Sequence, residues 1–283
     1  MIDAVLVGPA TPPELHLMSF NIRRQMLHLF SRNPDHWGDR KWLLRRLLAA
    51  ERPTLIGAQE AMPPQIRFVA ESLGASYRWI GHGRDADGTG EHCPIFYNND
   101  RLRLISWRQL ALSSTPEVPG SRSFGNMIPR IALVATFEDR ATGDELLVIN
   151  THFDHLSRKS RILAAGMLHR EVAAATIPVV VTGDFNTGIT AAPFHLLAAG
   201  GLLVDAWRVA AEHLTPAWGT YSAYRPPRLG RRRIDWILTS PSIEVTRAAI
   251  NAVRFEGKAA SDHEPVQVTV RLGKAVSSQP PAI

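Results

Sequence analysis

Ten short runs of the chain carry β-branched and other apolar residues in continuous or alternating order, at 15–21, 54–59, 94–97, 102–112, 131–138, 146–151, 179–182, 234–238, 243–250 and 265–270. Such runs read as strands buried on one or both faces. Four other stretches, 40–50, 65–73, 158–175 and 191–199, are expected to be helices. In Trp42-Leu43-Leu44-Arg45-Arg46-Leu47-Leu48 the apolar residues recur at helical spacing, and Pro53 stops the pattern after Glu51. That stripe covers one face of a sheet. The alternation of the two element types from Glu14 onward is the signature of a layered α/β protein.

No repeat period, Pro-Gly linker or shift in composition divides the chain. One domain over 14–272 is therefore expected, with an N-terminal extension at 1–13 and a polar, proline-containing tail at 273–283 that reads as disordered. The loops at 113–130 and 215–233 are long for a compact fold and are read as functional rims.

Composition narrows the class. With 45% hydrophobic residues in 283, the chain can bury a large core, yet no apolar run reaches the roughly 18 residues that a membrane span needs. The first residues lack the basic n-region of a signal peptide, so a cytoplasmic enzyme without membrane association or an obligate protein partner is expected. A single cysteine, Cys93, excludes an internal disulfide and any multi-cysteine zinc site. The net charge of +6 favours polyanions or phosphorylated substrates as partners.

Five strands run into clusters of Asn, Asp, Glu or His: Met18-Ser19-Phe20-Asn21, Ile56-Gly57-Ala58-Gln59-Glu60, Val148-Ile149-Asn150-Thr151-His152-Phe153-Asp154, Val181-Thr182-Gly183-Asp184-Phe185-Asn186 and Arg233-Ile234-Asp235-Trp236. A sixth cluster, Ser261-Asp262-His263-Glu264-Pro265-Val266, lies just before a strand. Ligand sites of α/β sheets form where such strand ends converge. No Gly-x-Ser-x-Gly elbow, Walker loop, His-Glu-x-x-His or dinucleotide fingerprint is present. Cys93, between His92 and Pro94, reads as a small buried hydrophobe rather than a nucleophile.

These six motifs, in this order, resemble the endonuclease/exonuclease/phosphatase superfamily, which includes deoxyribonuclease I, abasic-site endonucleases, deadenylases, neutral sphingomyelinases and inositol-polyphosphate phosphatases. The resemblance spans about Leu15 to Val270. A closer likeness, to bacterial members of unassigned substrate, rests on Gly83-Arg84-Asp85, on Gly90-Glu91-His92-Cys93-Pro94-Ile95-Phe96-Tyr97, on Thr115-Pro116-Glu117-Val118-Pro119-Gly120-Ser121 and on Asn150-Thr151-His152-Phe153-Asp154-His155. The chain departs from that branch at Cys93, where serine is usual, and around Ala111-Leu112-Ser113, where tryptophan is usual.

The resemblance implies a four-layer α/β sandwich, two mixed β-sheets packed face to face with outer helices. It also implies hydrolysis of a phosphoester by water activated at a Mg²⁺ (or Mn²⁺) site. Mg²⁺ takes only one or two protein carboxylates and keeps room for phosphate oxygens, a demand that Glu60, helped by Asn21, meets, with Asp262 at the metal. Asp184 would orient or deprotonate the attacking water and Asn186 hydrogen-bond the phosphate, Gly183 letting backbone come close to the ligand. Asp235 would orient His263, and Glu91 with His152 would form a second acid and histidine pair across the phosphate.

Asn150, Arg130 and Arg231 are candidate substrate contacts. The arginines between Arg225 and Arg233 suit either a nucleic-acid backbone or another phosphate group, or a solvated loop. A phosphodiester, possibly in nucleic acid, is the first expectation. The tryptophan before Gly-Asp-x-Asn and the Cys-Asp-Arg motif usual in the phosphatase branch are absent, so a phosphomonoester of an inositol or other small molecule comes second, and an inactive phosphate- or nucleic-acid-binding protein last, because every expected acidic and histidine position is present.

Overall fold

The computed structural model describes residues 5–26 and 33–273. In chain order the elements are β1 (Glu14–Asn21), α1 (Trp37–Glu51), β2 (Leu55–Gln59), α2 (Pro63–Leu73), β3 (Tyr77–Ile80), β4 (Ile95–Asn98), β5 (Leu102–Ala111), β6 (Ile131–Asp139) and β7 (Glu145–His152). They continue with α3 (Arg158–Ala173), β8 (Val179–Asp184), α4 (Ala192–Leu197), β9 (Val204–Asp205), α5 (Ala206–Val209), β10 (Glu212–His213), β11 (Asp235–Thr239), β12 (Glu244–Ile250) and β13 (Val266–Arg271).

The strands form two mixed sheets, one in the order β10-β12-β13-β1-β2-β4-β3 and the other β5-β6-β7-β8-β11-β9. Leu17, Leu55, Leu133, Val148, Val180, Ile237 and Val268 fill the space between them. α1 and α2 cover the first sheet through Leu44, Leu47, Ile66 and Val69 against Met18 and Phe96. α3 and α4 cover the second through Ala165, Leu168 and Leu197 against Val181 and Trp236. Helix, sheet, sheet and helix make the expected four layers.

Each of the ten expected strands is present within a residue or two. The edge strand β3, the two-residue β9 and β10, and the one-turn α5 are additions. Elements this short carry too few residues for a periodic pattern, and β3 exists because β4 supplies its hydrogen-bonding partner. The tail expected at 273–283 lies outside the described residues except for Gly273.

The sheets also meet through polar side chains. Asn150 donates from Nδ2 to Ala58 O at 2.8 Å, while its Oδ1 accepts from Gln59 Nε2 at 2.8 Å and Thr182 Oγ1 at 3.0 Å. A Cβ on Gly57 would stand 2.1 Å from Thr182 Oγ1 and 2.7 Å from Asn150 Oδ1, so close approach of the sheets requires glycine there. Asn150 therefore serves this bridge, fully buried, and is not a substrate contact. Gly183 is likewise explained by packing: its missing Cβ would lie 2.6 Å from Thr151 O on β7, not against a ligand.

Candidate active site

Strand direction gathers the polar clusters at one edge. β1 and β2 run parallel, as do β7 and β8, so the C-terminal ends of each pair share a side. β13 runs antiparallel to β1 and β11 to β8, which brings the segment before β13 and the first residue of β11 to that same side. Register does the rest, with His152 beside Asp184 and Asp184 beside Asp235.

The residues next to these three point the other way, because side chains alternate along a strand. Phe153, Phe185 and Trp236 enter the outer core, where Phe185 stacks on Trp236 with ring centroids 4.2 Å apart and meets Phe153 edge-on at 4.9 Å. The aromatic ladder on one face thus holds His152, Asp184 and Asp235 on the other.

Asp184 is the hub. Its Oδ2 accepts from Asn21 Nδ2 at 3.0 Å and lies 3.5 Å from His152 Nε2 and 3.8 Å from His263 Nε2, while Oδ1 accepts the Asn186 backbone N–H at 2.9 Å. His263 Nδ1 is 2.9 Å from Asp235 Oδ2. Asn21 Nδ2 also reaches Glu60 Oε1 at 3.0 Å, and Glu60 Oε2 accepts the Arg24 backbone N–H at 3.1 Å. Arg23, Glu60 and Asn186 all have φ between 52° and 60°. Non-glycine residues hold this left-handed conformation only where surroundings enforce it, and such residues gather at functional sites.

Burial opposes charge on both histidines, yet the two end differently. On His263 the Asp235 and Asp184 carboxylates win and raise the imidazole well above its usual range. On His152 burial and the Arg130 guanidinium act together and lower it well below. The Asn186 amide donates toward His152 Nε2 at 3.0 Å, which suits a neutral ring accepting there. Burial and the neighbouring Asp235 push Asp184 up to about 7. Burial also works against ionised Glu60, but the Asn21 amide and the Arg24 N–H that donate to it, with the nearby His263 imidazolium, outweigh burial and lower that carboxyl.

The pocket over these groups encloses about 460 Å³ and is lined on its other side by Arg24, Arg84, Arg130 and His155. Arg84 forms a fork on Glu91 at 2.6 and 3.0 Å, Arg24 reaches Glu91 at 2.9 Å, and buried Arg130 is held by Asp154 at 3.4 Å and His155 Nδ1 at 2.8 Å.

Sequence reasoning placed Asn21, Glu60, His152, Asp184, Asn186, Asp235, Asp262 and His263 together, and the structure brings them together. Glu91 lines the pocket, but its carboxylate serves Arg24 and Arg84 instead of pairing with His152. Arg130 lines the pocket, whereas Arg231 is exposed and lines a neighbouring cleft. Arg23 and Arg24 were missed, although they stand only two and three positions after Asn21. Arg84 stood in the Gly83-Arg84-Asp85 motif without a role. Cys93 is buried, and burial pushes its thiol up to about 12, which suits the core and not nucleophilic attack.

The donor set fits a hard divalent cation. Oxygens of Glu60 and Asp184 and a ring nitrogen of His152 all lie within 4.8 Å of one another. Arg23 stands 3.8 Å from both Glu60 and Asp262, a cation already drawn to the same carboxylates. The other close set, Asp184, Asp235 and His263, places two carboxylates around an imidazole that Asp235 hydrogen-bonds at 2.9 Å and Asp184 faces at 3.8 Å, and a cationic ring there is poorly suited to metal.

Residues 18–263 match the model of the endonuclease/exonuclease/phosphatase family, and the chain belongs to that family. Its members are hydrolases that act on phosphoester bonds. A family protein from Bacteroides thetaiotaomicron superposes with a TM-score of 0.85 at 29% identity, over 92% of this chain and 95% of that one. The mannosyl-6-phosphatase of Bacteroides thetaiotaomicron is similar too, with a TM-score of 0.83 and 29% identity over 90% of this chain and 99% of that one. Human nocturnin is 22% identical over 276 residues, 88% of this chain and 61% of its own length. The chain spans less than two thirds of the curated relatives it matches. Among the described residues no helix is long and apolar enough to cross a membrane.

Proposed function

We propose that the chain is a divalent-metal-dependent phosphoesterase, using Mg²⁺ or Mn²⁺, that hydrolyses a small phosphorylated molecule by in-line attack of water. The observation that carries this reading is the convergence on Asp184 of Asn21, His152, Asn186 and His263, with Glu60 and Asp262 alongside.

Glu60, with Asn21 and Asp262 beside it, would hold the ion next to Asp184 and His152, whose donor atoms lie within 4.8 Å of the Glu60 carboxylate. When bound, it would offset charge developing on phosphoryl oxygens. Asp184 orients the attacking water and accepts its proton, while Asn186, locked by its own left-handed turn, hydrogen-bonds the phosphate. His263, kept cationic by Asp235, neutralises an oxygen of the scissile group and can give up a proton to it. His152 stays neutral on the opposite side, where it positions and hydrogen-bonds. Such chemistry relies on positioning and charge compensation, not on a protein nucleophile.

A volume of about 460 Å³ suits a small ligand. Arg24 and Arg84 share the single Glu91 carboxylate, which leaves positive charge on that wall for the second negative charge of a monoester. Similarity to a mannosyl-6-phosphatase supports the same choice. The phosphodiester expected from the sequence is the second reading, and what favours it is the arginine-bearing loop beside the pocket.

The test is hydrolysis of nitrophenyl phosphate and bis-nitrophenyl phosphate by the purified chain in Mg²⁺ or Mn²⁺. Monoester turnover that is abolished by chelation and restored by the metal supports the first reading, and preferential diester turnover supports the second. Turnover of both esters that is indifferent to chelation would defeat the metal assignment.

A further inference from the structure

Next to the catalytic pocket lies a second cleft of about 220 Å³, lined by Tyr221, Ser222, Arg225, Pro227, Arg228 and Arg231 among others. The two cavities share Tyr221, which is half exposed and whose ring centroid is 5.0 Å from that of His263. Arg225, Arg228 and Arg231 are exposed, and among the described residues none forms an ion pair or a side-chain hydrogen bond. Elsewhere in the molecule guanidinium groups are commonly engaged, as Arg84 is with Glu91, Arg101 with Asp139, Arg233 with Asp205 and Arg254 with Glu264. Three unneutralised guanidinium groups around one small cleft form a concentrated positive field.

This loop is a built structure. Trp218 bridges Leu229, Gly219 N–H donates to Arg228 O at 3.1 Å, and a Cβ on Gly219 would meet Arg231 Cβ at 2.4 Å. Ser222 and Ala223 donate their N–H groups to Asp262 O at 2.9 and 3.0 Å, and Arg254 reaches Arg225 O at 2.9 Å. Ala223 and Tyr224 hold φ of 51° and 66°, and Tyr224 Oη donates to Asp35 at 2.7 Å. The cleft is thus fastened to the segment that carries Asp262 and His263, which fixes its position relative to the scissile phosphate.

We infer that this cleft is a second anion site, and that the substrate carries a further phosphate group which Arg225, Arg228 and Arg231 grip while the scissile phosphate lies across Tyr221 in the catalytic pocket. The planar fork of arginine suits phosphate oxygens, and Tyr221 offers a ring face to whatever joins the two groups. The inference rests on the phosphoesterase reading above and adds a feature of the substrate to it. The second phosphate has two chemical sources, a small bisphosphorylated molecule or the adjoining backbone phosphate of a short oligonucleotide.

The test compares the full chain with the variant Arg225→Gln/Arg228→Gln/Arg231→Gln on nitrophenyl phosphate, a hexose bisphosphate and a short single-stranded oligonucleotide. The expected result is a fall of about ten- to a hundredfold in kcat/KM on the bisphosphate or the oligonucleotide, carried by KM, with nitrophenyl phosphate unchanged within about twofold. Loss on one of the two larger substrates identifies the source. An equal loss on all three, or no loss on either larger substrate, overturns the inference while the phosphoesterase reading stands.

If none of the three is hydrolysed, calorimetric binding of the hexose bisphosphate with the metal chelated decides separately. Wild-type chain must bind it more tightly than hexose monophosphate, and the variant must lose that preference. Equal binding of the two sugars by wild type overturns the second site whatever happens to activity. Should the triple variant lose its thermal unfolding transition, the single Arg228→Gln variant carries the same comparison.

Discussion

His263 and His152 face the same carboxylate in one pocket, their Nε2 atoms 3.8 and 3.5 Å from Asp184 Oδ2, and their surroundings favour a cationic ring at the first and a neutral ring at the second. On the His263 side, Asp235 and Asp184 hold a cation in a buried place. On the His152 side, burial and Arg130 keep the ring neutral, and Asn186 donates into it. Two residues of one type are thereby given different electrostatic surroundings by neighbours that come from different strands, and the proposed mechanism uses one to compensate charge and the other to position.

The sharpest way to break this arrangement is at the residue both histidines share. Asp184→Asn is expected to lower kcat about a thousandfold, with the Tm close to that of wild type, because the amide keeps the shape and loses the base. Steady-state kinetics with a thermal melt checks both halves, and a variant within tenfold of wild type would remove Asp184 from the chemistry.

Asp235→Asn should make the His263 side resemble the His152 side. A loss of about a hundredfold in kcat is expected, together with a fall in the His263 pKa seen by NMR, since the amide cannot hold the imidazolium. Unchanged His263 titration would show that Asp184 suffices.

Arg130→Gln acts on the other side. Removing the nearby cation should raise the His152 pKa, and the lost contact with phosphate should raise KM about tenfold. A KM equal to wild type would place the substrate away from the arginine wall.

The smallest expected effect lies far from the pocket, at His16. This ring is fully buried, 2.7 Å from Gly8 O and 3.0 Å from Gln267 Nε2, and burial lowers its pKa to about 4. The unfolded chain, with an ordinary histidine near 6.5, binds more protons between those values. The stability that His16 contributes is therefore present above about pH 6.5 and is lost as pH falls toward about 4. His16→Gln should shrink the drop in Tm between pH 7 and pH 5 by about 4 °C relative to wild type. An identical drop in the variant would assign the acid sensitivity to other groups.

The residues of the candidate site were legible because each stands where an apolar run ends. Asn21 closes β1, His152 closes β7 and Asp184 closes β8, so a polar residue after a buried strand marked each one. Asn150 carried the same mark two positions earlier on β7 and proved to be a bridge between the sheets, since both strand neighbours and both sheets surround it there. Glu91 was recognised as part of the site, but its partner was misread because Arg24 and Arg84 reach it from separate segments. Arg24 has no periodicity to reveal it, lying in the loop after β1.

By itself the sequence determined the strands, the main helices, the six polar clusters and the reaction class they resemble, because hydrophobic alternation and strand-end polarity are local properties of the chain. Only the tertiary structure decided which arginines enter the pocket, why Gly57 and Gly183 must lack a side chain, and which histidine is charged. Those outcomes depend on burial and on charges contributed by residues distant in sequence, and such distances exist only once the two sheets have packed.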